Sequence, residues 1–239
     1  MNCQIKNFSS PTELAQAAAS DFSARIDRAR QNSAPFLVAL SGGRITKEFF
    51  RCTVESVRQR QLPIDHVHFF WADERCVGPD HPDSNFALAN EHLFQPLSVK
   101  AENIHRLKGE LPANEAVAQA NNELRTLLAS KPDRPVLDLV LLGMGEDGHV
   151  ASLFPNATPE TLGCSDPFLA INNSPKPPPE RLSLSFAAIQ AATKVWVLAS
   201  GSGKQTALAD SLAPGEPRTP LGRVIQLRPE TIIYTDIRD

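Results

Sequence analysis

The chain has 239 residues, 41% of them hydrophobic and 21% charged, and a formal net charge of −3. That length suits a single α/β domain spanning residues 1–239, with room for a small lobe. The balance is that of a soluble globular chain; it excludes bulk attraction to nucleic acid or an anionic membrane, so an anionic ligand must be held by a few placed cations.

The first residues, MNCQIKNFSSPTELA, lack the basic end and apolar core of a signal peptide. Ser10-Pro11-Thr12-Glu13 is a capping box with proline at the first helical position. Leu14, Ala18, Phe22 and Ile26 then repeat every four residues, which predicts a helix with one buried stripe. Phe36 to Leu40 is apolar throughout and predicts a strand buried on both faces, as do Val67 to Trp71, Leu139 to Leu142 and Val195 to Ala199, with Ile232 to Tyr234 as a shorter candidate. None of these runs is long enough to cross a bilayer. Val117, Ala120, Leu124 and Leu128 mark a second amphipathic helix, and further helices are expected after Thr46, Ser84, Phe186 and Gly203. Pro175, Pro177, Pro178 and Pro179 form a poorly helical stretch that crosses the surface ahead of RLSLSF, whose alternation suggests a strand.

Strand–helix alternation predicts a Rossmann-like α/β fold: a mostly parallel sheet with helices on both faces. Ligands in such sheets bind beyond the carboxyl ends of the strands, so the chemistry is expected in the loops there. Ser41-Gly42-Gly43-Arg44 follows the first buried strand; its glycines let backbone N–H groups approach a phosphate or an oxyanion. A glycine turn that merely caps a helix would read the same way. Asp73-Glu74-Arg75 comes next, a carboxylate pair beside an arginine able to grip a phosphate; a surface ion cluster is the plainer interpretation. Ser84-Asn85 reads as a helix start that could reach the same place.

Gly143-Met144-Gly145-Glu146-Asp147-Gly148-His149 places a histidine in glycine-dense backbone at a strand end. Histidine moves protons near neutral pH, and either Asp147 or Asp73 could orient it. Arg181 and Lys204 are candidate phosphate-binding cations, each also consistent with a solvated surface residue. Gly201-Ser202-Gly203-Lys204 is not a nucleotide P-loop, because Leu198 and Gln205 stand where that loop needs glycine and Ser or Thr.

His66, His68 and His81 fall in no metal-ligand pattern, and His66, His92 and His105 are simplest as surface or partly buried residues. Cys3, Cys52, Cys76 and Cys164 form no CxxC pair. No cofactor and no metal are expected, and reduced thiols place the protein in the cytoplasm. Every hydrophobic stripe has a sheet to cover, so a monomer is expected.

The stretches LSGGR (40–44), WADERCV (71–77), SN (84–85), LGMGEDGHVASLFP (142–155), PPPERLSLSF (177–186) and SGK (202–204), in this order, resemble the 6-phosphogluconolactonase family. The resemblance implies hydrolysis of 6-phospho-D-glucono-1,5-lactone to 6-phosphogluconate, in the oxidative branch of the pentose phosphate pathway. It implies His149 as general base, Asp73 as a group that orients the substrate or assists His149, Arg75, Arg181 and Lys204 around the substrate and its phosphate, and Gly42, Gly43 and Arg44 as a covering loop. The family's glycine loop usually continues with Thr-Pro; here Ile45 and Thr46 follow, and Thr46 is expected to cap the helix.

Three other readings compete. A related amino-sugar-phosphate isomerase/deaminase carries a glutamate five residues after the histidine, where this chain has Phe154. A non-enzymatic sugar-phosphate sensor would keep the cations without needing His149. A serine hydrolase would use Ser41 or Ser152, although Ser41 lacks the GxSxG elbow.

Overall fold

A computed structural model describes residues 3–31, 35–129, 137–228 and 230–238. In chain order these form β1 (Cys3–Asn7), α1 (Pro11–Ala29), β2 (Phe36–Leu40), α2 (Arg44–Gln59), β3 (Val67–Trp71), β4 (Asp73–Arg75), α3 (Asn85–Ala89), α4 (Gln95–Leu97), α5 (Ala113–Leu128), β5 (Leu139–Gly143) and α6 (Pro159–Gly163). There follow β6 (Phe168–Ile171), β7 (Arg181–Leu184), α7 (Phe186–Ala191), β8 (Lys194–Ala199), α8 (Gln205–Leu212), α9 (Pro220–Leu227) and β9 (Thr231–Thr235).

Six strands pair in parallel in the order β1-β9-β8-β5-β2-β3. Every residue of β2 is buried, as are Leu139 to Leu142 of β5, so side chains pointing to either face are covered. From β2 the chain passes to β3 on one side; from β5 it passes to β8 on the other. The loops leaving these two neighbouring strands therefore diverge and open a crevice at the seam. Ser41 pins one lip to the other, its hydroxyl donating to the Leu141 carbonyl at 2.9 Å.

The two helices that hydrophobic periodicity predicts form as α1 and α5. Ser10 caps α1, accepting from the Glu13 N–H at 3.2 Å, and Leu14, Ala18, Phe22 and Ile26 are buried. Glu13 reaches back one residue further than a capping box predicts, accepting from the Ser9 N–H and hydroxyl. Helix α2 begins at Arg44, two residues before the expected cap. Gly43 is its N-cap, with φ +108°, and Thr46 sits inside the first turn, its hydroxyl closing onto the Gly42 carbonyl at 2.9 Å.

One expectation needs correcting. Residues 73–75 do not lie in a loop: they form β4, the edge of a second, antiparallel sheet ordered β4-β7-β6. Asp73 stands opposite Ser183 and Arg75 opposite Arg181. Three charged residues cannot display a hydrophobic period, and their partner strand lies more than a hundred positions away, so the pairing leaves no local signal. The same holds for β1, a half-exposed edge strand of mixed polarity; α9, capped by Thr219 with proline at its start, is a helix the sequence reading does not include.

Candidate active site

The crevice holds a cavity of about 610 Å³. Its walls include Ser41, Gly42 and Gly43 from the β2–α2 loop, Arg44 at the start of α2, Asp73 and Arg75 from β4, His149 from the loop after β5, and Lys204 ahead of α8. Four stretches separated by as many as 163 positions thus converge on one space. Asp147 stands behind His149. Arg181 is not among the lining residues.

His149 is held from several directions. Its Nδ1 lies 2.5 Å from Asp147 Oδ1, which also accepts from the His149 backbone N–H at 3.3 Å. With the carboxylate on Nδ1, the proton sits there and Nε2 is left as the basic nitrogen. Of the two aspartates open to this role, the geometry selects Asp147. Gly145 makes room for the pair: a Cβ there would lie 2.1 Å from the imidazole and 2.6 Å from Asp147 Oδ1. The loop closes through Gly145 N–H to the His149 carbonyl at 2.9 Å. Gly148, with φ +75°, sits against Thr219, and its carbonyl accepts from Leu221 N–H at 3.1 Å, so α9 buttresses the histidine loop.

Burial pushes the His149 imidazole below its ordinary pKa, against the Asp147 hydrogen bond and charge, which push it up. Burial likewise raises the Asp147 carboxyl, but the hydrogen bonds and charge of His149 outweigh it and hold that group below the ordinary carboxylate range. Near neutral pH the pair is a neutral imidazole beside an ionised carboxylate.

Asp73 serves differently. It is buried, accepts from the Ser152 hydroxyl at 2.8 Å through Oδ2, and receives the Asn85 amide at its backbone carbonyl (2.8 Å) and at Oδ1 (3.3 Å). Ser152 N–H in turn donates to Ser183 Oγ at 3.2 Å, docking the histidine loop onto the small sheet. Asn85 fills the space a side chain on Gly42 would take, a Cβ there coming within 1.9 Å of its Oδ1. Asn85 itself lines the cavity. The Ser84-Asn85 signal thus marks a contact between the two lips, not only a helix start.

Glu74 is no surface ion. It is buried and collects four donors: the N–H groups of Arg75 (2.7 Å), Asn85 (2.8 Å) and Phe86 (2.8 Å), and the Ser84 hydroxyl (3.0 Å). It fastens α3 to β4 and faces away from the cavity chemistry.

The cations divide. Arg44 and Lys204 line the cavity and make no side-chain hydrogen bond or ion pair among the described residues. Burial, then the charge of Arg44, pushes the Lys204 ammonium below its usual pKa; Glu146 and Asp236 oppose this, and Lys176 adds to it. Arg75 lines the cavity while one guanidinium nitrogen donates to the Asp83 carbonyl. Arg181 is buried and spends its guanidinium on the carbonyls of Pro178 (2.8 Å), Pro177 (2.9 Å) and Lys176 (3.2 Å). Two groups the sequence reading passed over, Lys176 and Thr219, thus bear on the site. Lys176 offered no signal beyond a lysine among prolines.

Among the described residues no three His, Cys, Asp or Glu side chains are grouped to hold a metal ion, and no helix is long and apolar enough to cross a membrane. All four cysteines are free. His105 is more buried than expected and links His68 (2.8 Å) to Glu123 (2.7 Å), away from the cavity.

A parallel sheet with a cavity at its seam, lined by His149 and by the unpaired cations Arg44 and Lys204 and with the partly buried Asp147 hydrogen-bonded to the histidine, defines an α/β protein with a site for an anionic ligand. The chain belongs to the family described as glucosamine-6-phosphate isomerases/6-phosphogluconolactonase, which matches residues 9–233. It is 39% identical over 193 residues to a 6-phosphogluconolactonase of Nostoc sp., covering 80% of this chain and 77% of the relative. It is 35% identical over 215 residues to the Synechocystis sp. protein of that name, covering 89% and 86%. The crystal structure of 6-phosphogluconolactonase from Thermotoga maritima superposes with a TM-score of 0.81 at 26% identity, over 98% of this chain and 99% of the other.

Proposed function

We propose that this protein hydrolyses 6-phosphogluconolactone to 6-phosphogluconate, with His149 as the general base. The observation that carries the reading is the neutral His149, oriented by Asp147, opening into a cavity whose wall also bears the unpaired cations Arg44 and Lys204. The names of the relatives point to the same substrate.

A lactone is an activated ester. Water held near Nε2 of His149 gives up a proton as its oxygen adds to the carbonyl carbon, and such assistance supplies roughly 10²–10⁴-fold in rate. The negative charge that grows on the carbonyl oxygen meets the first turn of α2, where the N–H groups after Gly43 have no partner within the helix, and Arg44. The imidazolium then returns its proton to the departing ring oxygen, and the tetrahedral adduct collapses to the carboxylic acid, which ionises. Lys204 and Arg75 hold the phosphate and hydroxyls away from the carbonyl, fixing the attack geometry.

Two features weigh against the alternatives. Where the isomerase/deaminase reading requires a glutamate, Phe154 is buried and packs its ring 4.8 Å from the His149 ring, so no acid is available there for proton transfer at carbon. Neither candidate serine meets His149: Ser41 donates to the Leu141 carbonyl and Ser152 to Asp73. The test is hydrolysis of 6-phosphogluconolactone in a pH-stat, corrected for the spontaneous reaction, beside incubation with glucosamine 6-phosphate. Fast acid release from the lactone and no ammonia from the amino sugar are expected. Ammonia release without lactone hydrolysis would transfer the chain to the isomerase/deaminase branch.

A further inference from the structure

Thr219 is buried and is not part of the cavity wall, yet three parts of the fold meet on it. Its hydroxyl belongs to a chain of hydrogen bonds whose direction the donors fix. Ser211, also buried, has one hydroxyl proton and gives it to the Ala207 carbonyl at 2.6 Å. The 2.6 Å contact between Ser211 Oγ and Thr219 Oγ1 must then be donated by Thr219. Thr219 Oγ1 in turn accepts from the Gly222 N–H at 3.0 Å. The chain therefore runs from the first turn of α9, through Thr219 and Ser211, into α8. The rest of the side chain lies against Gly148: a Cβ on that glycine would come within 2.6 Å of Thr219 Cβ and 2.7 Å of its Cγ2. Gly148 has φ +75°, and its carbonyl accepts from the Leu221 N–H at 3.1 Å, one peptide beyond Pro220.

The neighbours of Thr219 carry the two halves of the chemistry. Gly148 immediately precedes His149. Helix α8 begins directly after Lys204, and Ser211 lies two helical turns from that lysine, about 10 Å along the axis. Among the described residues, the other side-chain bond from α8 to the rest of the fold is the ion pair of Asp210 with Arg218 at 3.5 Å, which is exposed and contributes little. The start of α8 meets the histidine loop a second time, since a Cβ on Gly203 would come within 3.2 Å of Glu146 Oε1. Loop and helix are thus joined near both ends of α8, and a close-packed interior passes a displacement at one joint to the other. A substrate gripped by its phosphate at Lys204 and attacked at its carbonyl beside His149 needs that separation held, because a misplacement of about 1 Å costs on the order of 10²-fold in rate.

We propose that Thr219 is a positioning residue that sets the separation between His149 and Lys204: its methyl supports the histidine loop at Gly148, and its hydroxyl holds α8 through Ser211. The proposal rests on the lactonase reading and deepens it. Thr219 touches neither substrate nor reacting atoms. Both of its functions are needed at one position, which is why threonine stands there: serine would supply only the hydroxyl and valine only the methyl.

The test separates the two faces. Thr219→Ser keeps the hydrogen-bond chain and the α9 cap and removes the methyl, so kcat for 6-phosphogluconolactone is expected to fall roughly tenfold with KM within about twofold of the parent. Thr219→Val keeps the methyl and breaks the chain, so KM should rise roughly tenfold while kcat changes by less than about threefold. Ser211→Ala breaks the same chain from the other side, leaves Gly148 supported, and should give the same KM rise. Two readouts need no turnover. Calorimetry with inorganic phosphate is expected to show weaker binding in Thr219→Val and Ser211→Ala and parental binding in Thr219→Ser. NMR of the His149 ring protons in the ligand-free protein should show shifted resonances in Thr219→Ser and parental ones in the other two. Parental kcat and KM in all three, with only a lowered melting temperature, would reduce Thr219 to a helix cap and overturn the proposal. So would the same kcat and KM pattern in Thr219→Ser as in Ser211→Ala. If Thr219→Val does not fold, Thr219→Ser and Ser211→Ala test the two faces by themselves. An inactive parent would instead overturn the lactonase reading, and the phosphate and NMR measurements would still decide for or against Thr219.

Discussion

At the scale of single residues, the site turns on how little room His149 has. Replacing it with alanine removes the proposed base and leaves the cations, so kcat for the lactone is expected to fall at least about 10²-fold with KM nearly unchanged. A kcat within a few-fold of the parent would show that another group activates the water. Gly145→Ala makes a sharper test of geometry. Its Cβ would overlap both imidazole and carboxylate, so activity should fall as in the histidine variant while the melting temperature shifts by only a few degrees. Asp147→Asn separates charge from position. Burial lowers the His149 pKa and Asp147 raises it, so removing the carboxylate leaves burial unopposed. The acidic limb of kcat/KM should move to lower pH, while the plateau drops by on the order of 10²–10⁴-fold as the imidazole loses its fixed tautomer. A limb that moves upward would mean that Asp147 does not face the titrating ring.

Elements decide which of these residues could be found in advance. The glycine-dense loop after β5 and the Ser41–Arg44 loop after β2 were legible because buried parallel strands are apolar throughout, and the residue after the last apolar position is by construction at the site. Asp73, Glu74 and Arg75 were found as residues but misplaced as an element, since antiparallel pairing with residues 181–183 depends on contacts distant in sequence. Arg181 reads in sequence as a ligand-binding cation, and in the fold its guanidinium donates to the carbonyls of Pro178, Pro177 and Lys176. Glu74 carries an element-scale prediction. Each of its oxygens accepts two donors, so Glu74→Gln would turn an amide NH₂ against two of them inside the protein. The cost should be about 1–3 kcal/mol, read as a lower denaturation midpoint. Because the start of α3 loosens, Asn85 should shift from Gly42 and Asp73, and KM should rise. Unchanged KM in a destabilised variant would mean that α3 does not position the substrate.

For the whole molecule, the arrangement of the cavity makes ligand binding and stability one quantity. The cavity residues come from the seam of the parallel sheet, from the edge of the small sheet and from the start of α8. The two sheets meet there through Ser152 with Asp73 and Ser183, and through Asn85 with Asp73. An anion bound between Arg44, Arg75 and Lys204 therefore bridges parts of the fold that otherwise touch across a solvent-filled space. It binds the folded chain and not the unfolded one, which scatters these cations. At a hundred times its dissociation constant such a ligand stabilises by about 2.7 kcal/mol, which for a chain of this size raises the melting temperature by roughly 5–10 °C. The stable product 6-phosphogluconate is expected to produce this shift, and gluconate, lacking the phosphate, a much smaller one at equal concentration. Lys204→Met should abolish most of the difference between the two, and raising ionic strength should shrink it, since Arg44 is exposed and its attraction is screened over about 10 Å at 0.1 M salt. Equal shifts from gluconate and 6-phosphogluconate would mean that the cations do not read the phosphate at all, and that selectivity for a phosphorylated lactone must come from elsewhere in the crevice.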